Sequence, residues 1–160
     1  MKYLFLILGT VFFIQSSFTQ ENPLWLRYPA ISPDRQEIVF SYKGDLYKVN
    51  AVGGTAYPLT LHEGRDFMPV WSPDGQSIAF ASERYGNYDV FLIPSDGGQA
   101  KRLTHHSAND YPSDFTPDGQ QVLFSSARLD DHRNQQFPSG VLSELYQVPT
   151  EGGTPDMVLT

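Results

Sequence analysis

The stretch "WSPDGQSIAF", Trp71–Phe80, decides how the rest of the chain is read. Forty residues earlier stands "ISPDRQEIVF", Ile31–Phe40, and forty-four residues later "FTPDGQQVLF", Phe115–Phe124. Each copy joins a turn signal to a short apolar run. Two further anchors recur in the same order: Gly-Gly at 53–54, 97–98 and 152–153, and Leu-Thr at 59–60, 103–104 and 159–160. Ordered recurrence with a period of roughly 20–50 residues marks stacked supersecondary units that cannot bury their apolar faces alone.

Around these anchors each unit divides into four short strands. The first ends in "YPAIS", "MPVWS" or "SDFT"; the second is "EIVFSY", "SIAFAS" or "QVLFSS". The third is "DLYKV", "DVFLI" or "ELYQV", and the fourth "AYPLT", "AKRLT" or "DMVLT". These runs are rich in β-branched and aromatic residues and are bounded by turn residues. No stretch beyond the first 19 residues shows a helical period. Pro33, Pro73 and Pro117 suit the second position of a type I turn, because their φ is already near −65°. Asp34, Asp74 and Asp118 follow them. Gly75 and Gly119 then supply a left-handed residue at the hairpin. Arg35 takes the glycine's place in the first unit, at a cost of about 1 kcal/mol for a left-handed side chain. A repeated four-stranded unit of this length predicts a β-propeller blade. The chain is therefore expected to be all-β, with three blades near 28–60, 61–104 and 105–160 forming an incomplete propeller over 20–160. A β-sandwich is the alternative fold, but it gives no reason for the repeat. Three blades would leave two apolar faces open, so the sequence reads as an amino-terminal fragment.

The beginning of the chain is of another kind. Lys2 precedes "YLFLILGTVFFI" at 3–14, and small residues follow at Ser17 and Thr19. This is the layout of a secretory signal peptide over 1–19, too short to span a membrane as a mature helix. An uncleaved anchor is the alternative; either way the remainder is exported, to the periplasm or beyond. The chain has no cysteine, which excludes a disulfide framework, a thiolate metal site and a lipoprotein anchor. A net charge of −7 argues against nucleic acid as a partner. There is no glycine-rich phosphate loop and no Gly-x-Ser-x-Gly elbow. No cofactor and no metal is expected.

Residues that recur in every unit are most simply structural; departures from the repeat are where function is sought. His62 and His106 each stand four residues before an acid, Asp66 or Asp110, a spacing open to general-base chemistry but better read as a loop tie. His105 beside His106 lacks a third metal ligand. Ser72 with Asp74 repeats as a turn-capping hydroxyl. Asp110, Asp114 and Asp118 do not make a calcium loop. Asp114 replaces Ala30 and Val70 on what should be the innermost strand, so it and His105 are the candidates for channel or peptide contact. The third unit carries a polar insertion, "LDDHRNQQFPSG" at 129–140. Phe137 and Pro138 are its candidate apolar anchors for an inter-domain contact.

The Pro-Asp repeat resembles the propeller repeats of TolB. The longer strings "ENPLWLRYPAISPD", "SYKGDLYKV", "WSPDGQSIAFASERYGNYDVF" and "FPSGVLSELYQVP" resemble the opening of tricorn-type serine proteases. The resemblance covers roughly 21–160. It implies a parent peptidase whose propellers come first and guide peptides. A PDZ-like module and a catalytic core would follow, and none of its catalytic motifs has a counterpart here. The partners implied are peptide or protein substrates, further blades and that downstream domain. A TolB-like propeller that binds proteins, and a propeller fused to a prolyl-oligopeptidase-type hydrolase, are the alternatives.

Overall fold

A computed structural model describes residues 25–128 and 143–158. The signal-peptide reading of 1–19, the anchors Phe137 and Pro138, and the last Leu-Thr pair lie outside the described residues. Within them are twelve strands and no helix. Blade 1 holds β1 (Arg27–Ile31), β2 (Glu37–Tyr42), β3 (Asp45–Asn50) and β4 (Tyr57–Pro58). Blade 2 holds β5 (Asp66–Trp71), β6 (Ser77–Ser82), β7 (Asp89–Pro94) and β8 (Lys101–Arg102). Blade 3 holds β9 (Asp110–Phe115), β10 (Gln121–Ser126), β11 (Glu144–Pro149) and β12 (Asp156–Met157). Each blade is an antiparallel sheet with its strands in chain order. β5 packs against both β1 and β9, which places the first strands on the inner side.

Alternation explains why the blades stack. On β6, Ile78 and Phe80 face blade 1 and meet Val39, Leu46 and Trp71. Ala79 on the same strand joins Phe115, Val122 and Phe124 of blade 3. Successive side chains of a strand point to opposite faces, so one strand serves two cores. Burial of a Phe or Ile contributes roughly 1.5–3 kcal/mol, and Ile78, Phe80 and Phe124 are fully buried. β2 and β10, in the flanking blades, alternate buried with half-buried residues. Their second faces have no neighbour among the described residues.

The hairpin turns carry the blades' lower end, here the turn face. Ser72 O accepts from Gly75 N at 2.9 Å, closing the turn, and the same bond recurs at Ser32–Arg35 and Thr116–Gly119. Arg35 has φ 63° where Gly75 and Gly119 have 70° and 69°. A Cβ on Gly119 would meet Pro73 Cδ at an ordinary 3.6 Å, so the demand there is for positive φ, not for space. Each first strand also carries a β-bulge. Tyr28 and Pro29 together oppose Phe40, Met68 and Pro69 oppose Phe80, and Ser113 is the extra residue in β9. A proline is tolerated there because the strand is an edge and the bulge frees a ladder position.

The fourth strands are shorter than the sequence predicts. Among the described residues only two of each pair in the ladder. Leu103 and Thr104 instead turn inward and are fully buried. Thr104 Oγ1 accepts the Val90 N–H at 2.9 Å, and Thr60 Oγ1 accepts the Leu46 N–H at 2.9 Å. A side-chain oxygen thus replaces a strand partner and ends the sheet.

Candidate functional site

The opposite end of the blades, the crossing face, gathers three sets of loops. These are the β2–β3 and β6–β7 hairpins, the crossings 61–65 and 105–109, and the starts of the first strands. Its foundation is a repeated buried ion pair. Asp66 and Asp110 begin β5 and β9 and are fully buried. Arg84 Nη2 donates to Asp66 Oδ2 at 2.7 Å. Arg128 makes a two-pronged contact with Asp110, through Nη2 to Oδ2 and through Nε to Oδ1 at 3.2 Å. The two arginines lie over matching rings, Phe80 and Phe91 for Arg84, Phe124 and Tyr146 for Arg128. A third buried acid, Asp89, faces Arg102 Nη2 at 2.7 Å, off the hydrogen-bond direction. Burial pushes the Asp89 carboxyl up, against the pull of Arg102. These acids also stitch blade to blade: Asp66 N donates to Gly44 O at 2.7 Å and Asp110 N to Tyr88 O at 2.8 Å.

The two junctions differ because their hairpins differ. Between blades 2 and 3 the longer β6–β7 loop reaches across. Asn87 Nδ2 donates to His106 O and Ala108 O, both at 2.9 Å, and Tyr88 N donates to Asn109 Oδ1 at 3.0 Å. Between blades 1 and 2 the hairpin is the two-residue turn Lys43–Gly44, both with positive φ, as a type I′ turn requires. Among the described residues it meets the next blade through Gly44 O alone, while Asp45 Oδ1 beside it accepts the His62 N–H at 3.1 Å. A cleft of about 610 Å³ remains, bordered by Trp25, Arg27, Tyr28, Lys43, Arg65 and Asp66.

Beside the cleft runs a tract of rings. Tyr28 and Phe67 have centroids 5.4 Å apart, Phe67 and Tyr88 4.8 Å, and Tyr88 and Tyr111 5.7 Å. Burial first, and the Glu83 carboxylate second, push the Tyr88 phenol up. An apolar shelf flanked by cations can hold a polypeptide side chain and a charge together.

The residues singled out in the sequence fall elsewhere. Asp66 and Asp110 pair with arginines, not with His62 and His106. Each histidine's Nδ1 accepts a loop N–H two residues on, from Gly64 at 2.8 Å and Ala108 at 3.0 Å. Ser72 is buried; its hydroxyl donates to Asp74 at 2.6 Å and accepts from Ser77 N at 2.9 Å, so it is committed to holding the turn. Asp118 is likewise held by Thr116 on the turn face. Asp114 lies exposed on β9, its carboxylate accepting from Phe115 N at 2.8 Å. His105 is exposed at the start of the crossing, near enough to Asp89 to favour that acid's ionised form. Asp114 lies some ~13 Å along β9 from Asp110 at strand rise, towards the turn face. The structure does not bring the pair together. No group of three or more metal-ligating side chains occurs among the described residues. The arginines were missed by sequence reasoning, although equal spacing, Asp66 to Arg84 and Asp110 to Arg128, was there to find.

Residues 23–159 match the tricorn protease N-terminal β-propeller domain. A TolB homologue of Chlamydia felis is 36% identical over 84 residues, which are 48% of this chain and 19% of that protein. One from Chlorobium luteolum is 40% identical over 55 residues, 33% of this chain and 13% of that protein. The chain thus spans a small part of the curated relatives it matches. Among solved structures, a TolB described as putative, from Agrobacterium tumefaciens, superposes with a TM-score of 0.71 at 26% identity, over 86% of this chain and 50% of that one. The tricorn protease superposes with a TM-score of 0.63 over 79% of this chain and 12% of that one; at 23% identity this shows the fold alone. With three four-stranded blades and a family match over nearly its whole length, the chain belongs to the tricorn protease N-terminal β-propeller family.

Proposed function

We propose that this chain is the opening propeller segment of an exported, tricorn-like serine peptidase. Its role is scaffold and peptide access, with the chemistry carried by a core outside these residues. The observation that carries the reading is family membership over 23–159. The crossing face supports it, because a cleft flanked by rings and cations suits polypeptide better than a small metabolite. Export rests on the signal-peptide layout of residues 1–19, and the mature protein would begin near Gln20. The polar insertion at 129–140, through Phe137 and Pro138, would contact the neighbouring domain.

Similarity to TolB homologues favours one second reading, a propeller that docks protein partners and has no chemistry. Reading the encoding frame beyond the codon for Thr160 separates the two. A PDZ-like module and a processing-peptidase core support the first. Further blades followed by a stop support the second, and a Gly-x-Ser-x-Gly elbow would point to a prolyl-oligopeptidase-type parent instead. If the core is present, deletion of 130–139 in the assembled parent should change peptide turnover. Unchanged kinetics with intact assembly would remove the inter-domain role.

A further inference from the structure

We infer that the cleft between blades 1 and 2 recognises an acidic polypeptide segment. Its carboxylates would meet Arg27, Lys43 and Arg65, and its apolar side chains would lie on Trp25 and Tyr28. The inference rests on the reading that this face meets polypeptide, and it names the chemistry preferred.

The chain is acidic overall, with 18 acidic against 11 basic residues. Most of its described cations are spent at home: Lys48, Arg84, Lys101, Arg102 and Arg128 each form an ion pair. Of the rest, Arg35 sits in a turn at the far end of the blade. The other three, Arg27, Lys43 and Arg65, all line this one cleft, and none is in an ion pair among the described residues. The acids of the cleft do not offset them. Asp66 is already neutralised by Arg84, which leaves Glu63 in the lining and Glu83, whose carboxylate accepts the Arg65 N–H at 3.3 Å, against three cations. The result is a cationic excess in the cleft of a negative molecule, three against two.

Each of the three cations is held over a ring instead of a carboxylate. Arg27 lies 5.6 Å from the Trp25 centroid, Lys43 5.2 Å from Tyr42, and Arg65 5.3 Å from Phe67. Cation–π contact positions a charged head without cancelling its charge. Lys43 is notable in its backbone as well. It takes φ 53° in a turn position where Asn, Asp or Gly is favoured, and side chains in such conformations concentrate where structure is bent to a task. Trp25 and Tyr28 are exposed aromatics at the same border, at 68% and 42%. Large rings left in water beside unpaired cations fit a ligand that brings both acids and apolar groups.

A polypeptide is favoured over a nucleic acid for a reason of scale. A phosphate backbone carries charge continuously and would meet the acidic surface beyond the cleft. A few carboxylates on an extended segment match three cations and then stop.

The test uses the full chain and two fluorescein-labelled peptides, one alternating Glu with Phe and Leu, the other with Gln in place of every Glu. Anisotropy reads affinity. Trp25 emission reads location, since Trp71, the other tryptophan, is buried. The Glu peptide should bind at least tenfold tighter and weaken as salt rises from about 0.05 to 0.3 M, where screening shortens to a few ångströms. The triple variant R27Q/K43Q/R65Q should lose at least tenfold for the Glu peptide, with an unchanged melting temperature. Trp25→Phe should abolish the emission change. Equal binding of both peptides, lost in a Trp25→Ala/Tyr28→Ala variant, would overturn the acidic preference and leave the polypeptide reading standing. Binding of neither peptide would overturn both. A single-stranded oligonucleotide of equal charge that competes as well as the Glu peptide would overturn the choice of polypeptide.

Discussion

Arg84→Met and Arg128→Met test the physical core of the crossing face. Each variant keeps the length of the side chain and its contact with two rings, and removes the charge. Each leaves a fully buried carboxylate without its cation. Breaking a buried pair in this way costs about 3–5 kcal/mol, because the surviving charge remains desolvated. The two pairs are not equal. Arg128 grips Asp110 with two nitrogens, whereas Arg84 holds Asp66 with one and leaves Arg84 Nε and Asp66 Oδ1 without a partner. A two-pronged, charge-assisted contact is the stronger, so Arg128→Met should be the costlier change. The matching double variants, Asp66→Leu/Arg84→Met and Asp110→Leu/Arg128→Met, remove both charges. They should recover most of the loss, since a buried pair exchanged for apolar groups is often neutral. Urea unfolding of the four variants measures all of this, with the midpoint reporting stability where the slope is unchanged. A loss under 1 kcal/mol for either single variant would refute the claim that these acids are buried as ions. Doubles no better than the singles would show that packing, not charge, is at stake.

Other tests address the turns and the short fourth strands. Arg35→Gly should be neutral or raise stability by up to about 1 kcal/mol, because glycine accepts φ near 63° without strain; a clear fall in melting temperature would mean the arginine side chain is needed. Thr104→Val should cost about 1–3 kcal/mol, since it orphans the buried Val90 N–H; a midpoint shift within error would count against Thr104 as a strand substitute. The Ser32 hydroxyl first, and the Gln36 N–H second, hold the Asp34 carboxyl below its ordinary range, and Asp74 and Asp118 are held the same way by Ser72 and Thr116. A depressed acid stabilises the fold above its unfolded value, about 3.9, and that contribution is lost as pH falls through the folded value. The triple Asp→Asn variant at these positions should therefore show a shallower fall in melting temperature below pH 4 than the parent. Asp89 has the opposite sign: its raised carboxyl makes stability fall as pH rises from the ordinary aspartate value to its own, so Asp89→Asn should flatten the curve there.

The strands in the middle of each blade were legible because their information is local. β2 and β6 coincide with the runs "EIVFSY" and "SIAFAS", where alternation and β-branching act within six residues. The hairpins were legible for the same reason: proline sets one φ and glycine the next. Leu-Thr misled, since an apolar residue beside a threonine looks like strand. Only the fold shows that Thr104 bonds back to Val90, fourteen residues away. The cleft was hidden more deeply. Arg27, Lys43 and Arg65 come from a strand, a hairpin and a crossing, and no spacing rule joins them. Asp114 stood out as a departure from the repeat in residue type, whereas the open junction departs from it in loop length, which a residue-by-residue comparison does not show.

That difference bears on how a repeat protein divides its labour. Every blade must stack on a neighbour, so the residues that stack are repeated: Phe80 and Phe124, Asp66 and Asp110, Arg84 and Arg128. Identical junctions, however, offer identical surfaces, and a molecule of equal grooves would have no preferred one. Specificity has to enter where the repeat fails. Between blades 2 and 3, Asn87 and Tyr88 tie the hairpin to the crossing, so the junction is latched by its own backbone. Between blades 1 and 2 the hairpin contracts to Lys43 and Gly44; its ties are Gly44 O to the Asp66 N–H and Asp45 Oδ1 to the His62 N–H, with no counterpart of the Asn87 side-chain bonds among the described residues. What lines the space is charge and aromatic surface, the charges in no ion pair among the described residues. A junction opened only by a shorter hairpin would be expected to pair its cations with nearby acids, as Lys48 does with Glu37. Three cations displayed on rings, in no ion pair among the described residues, are the opposite arrangement, and it is on them that the inference of an acidic polypeptide at the open junction rests.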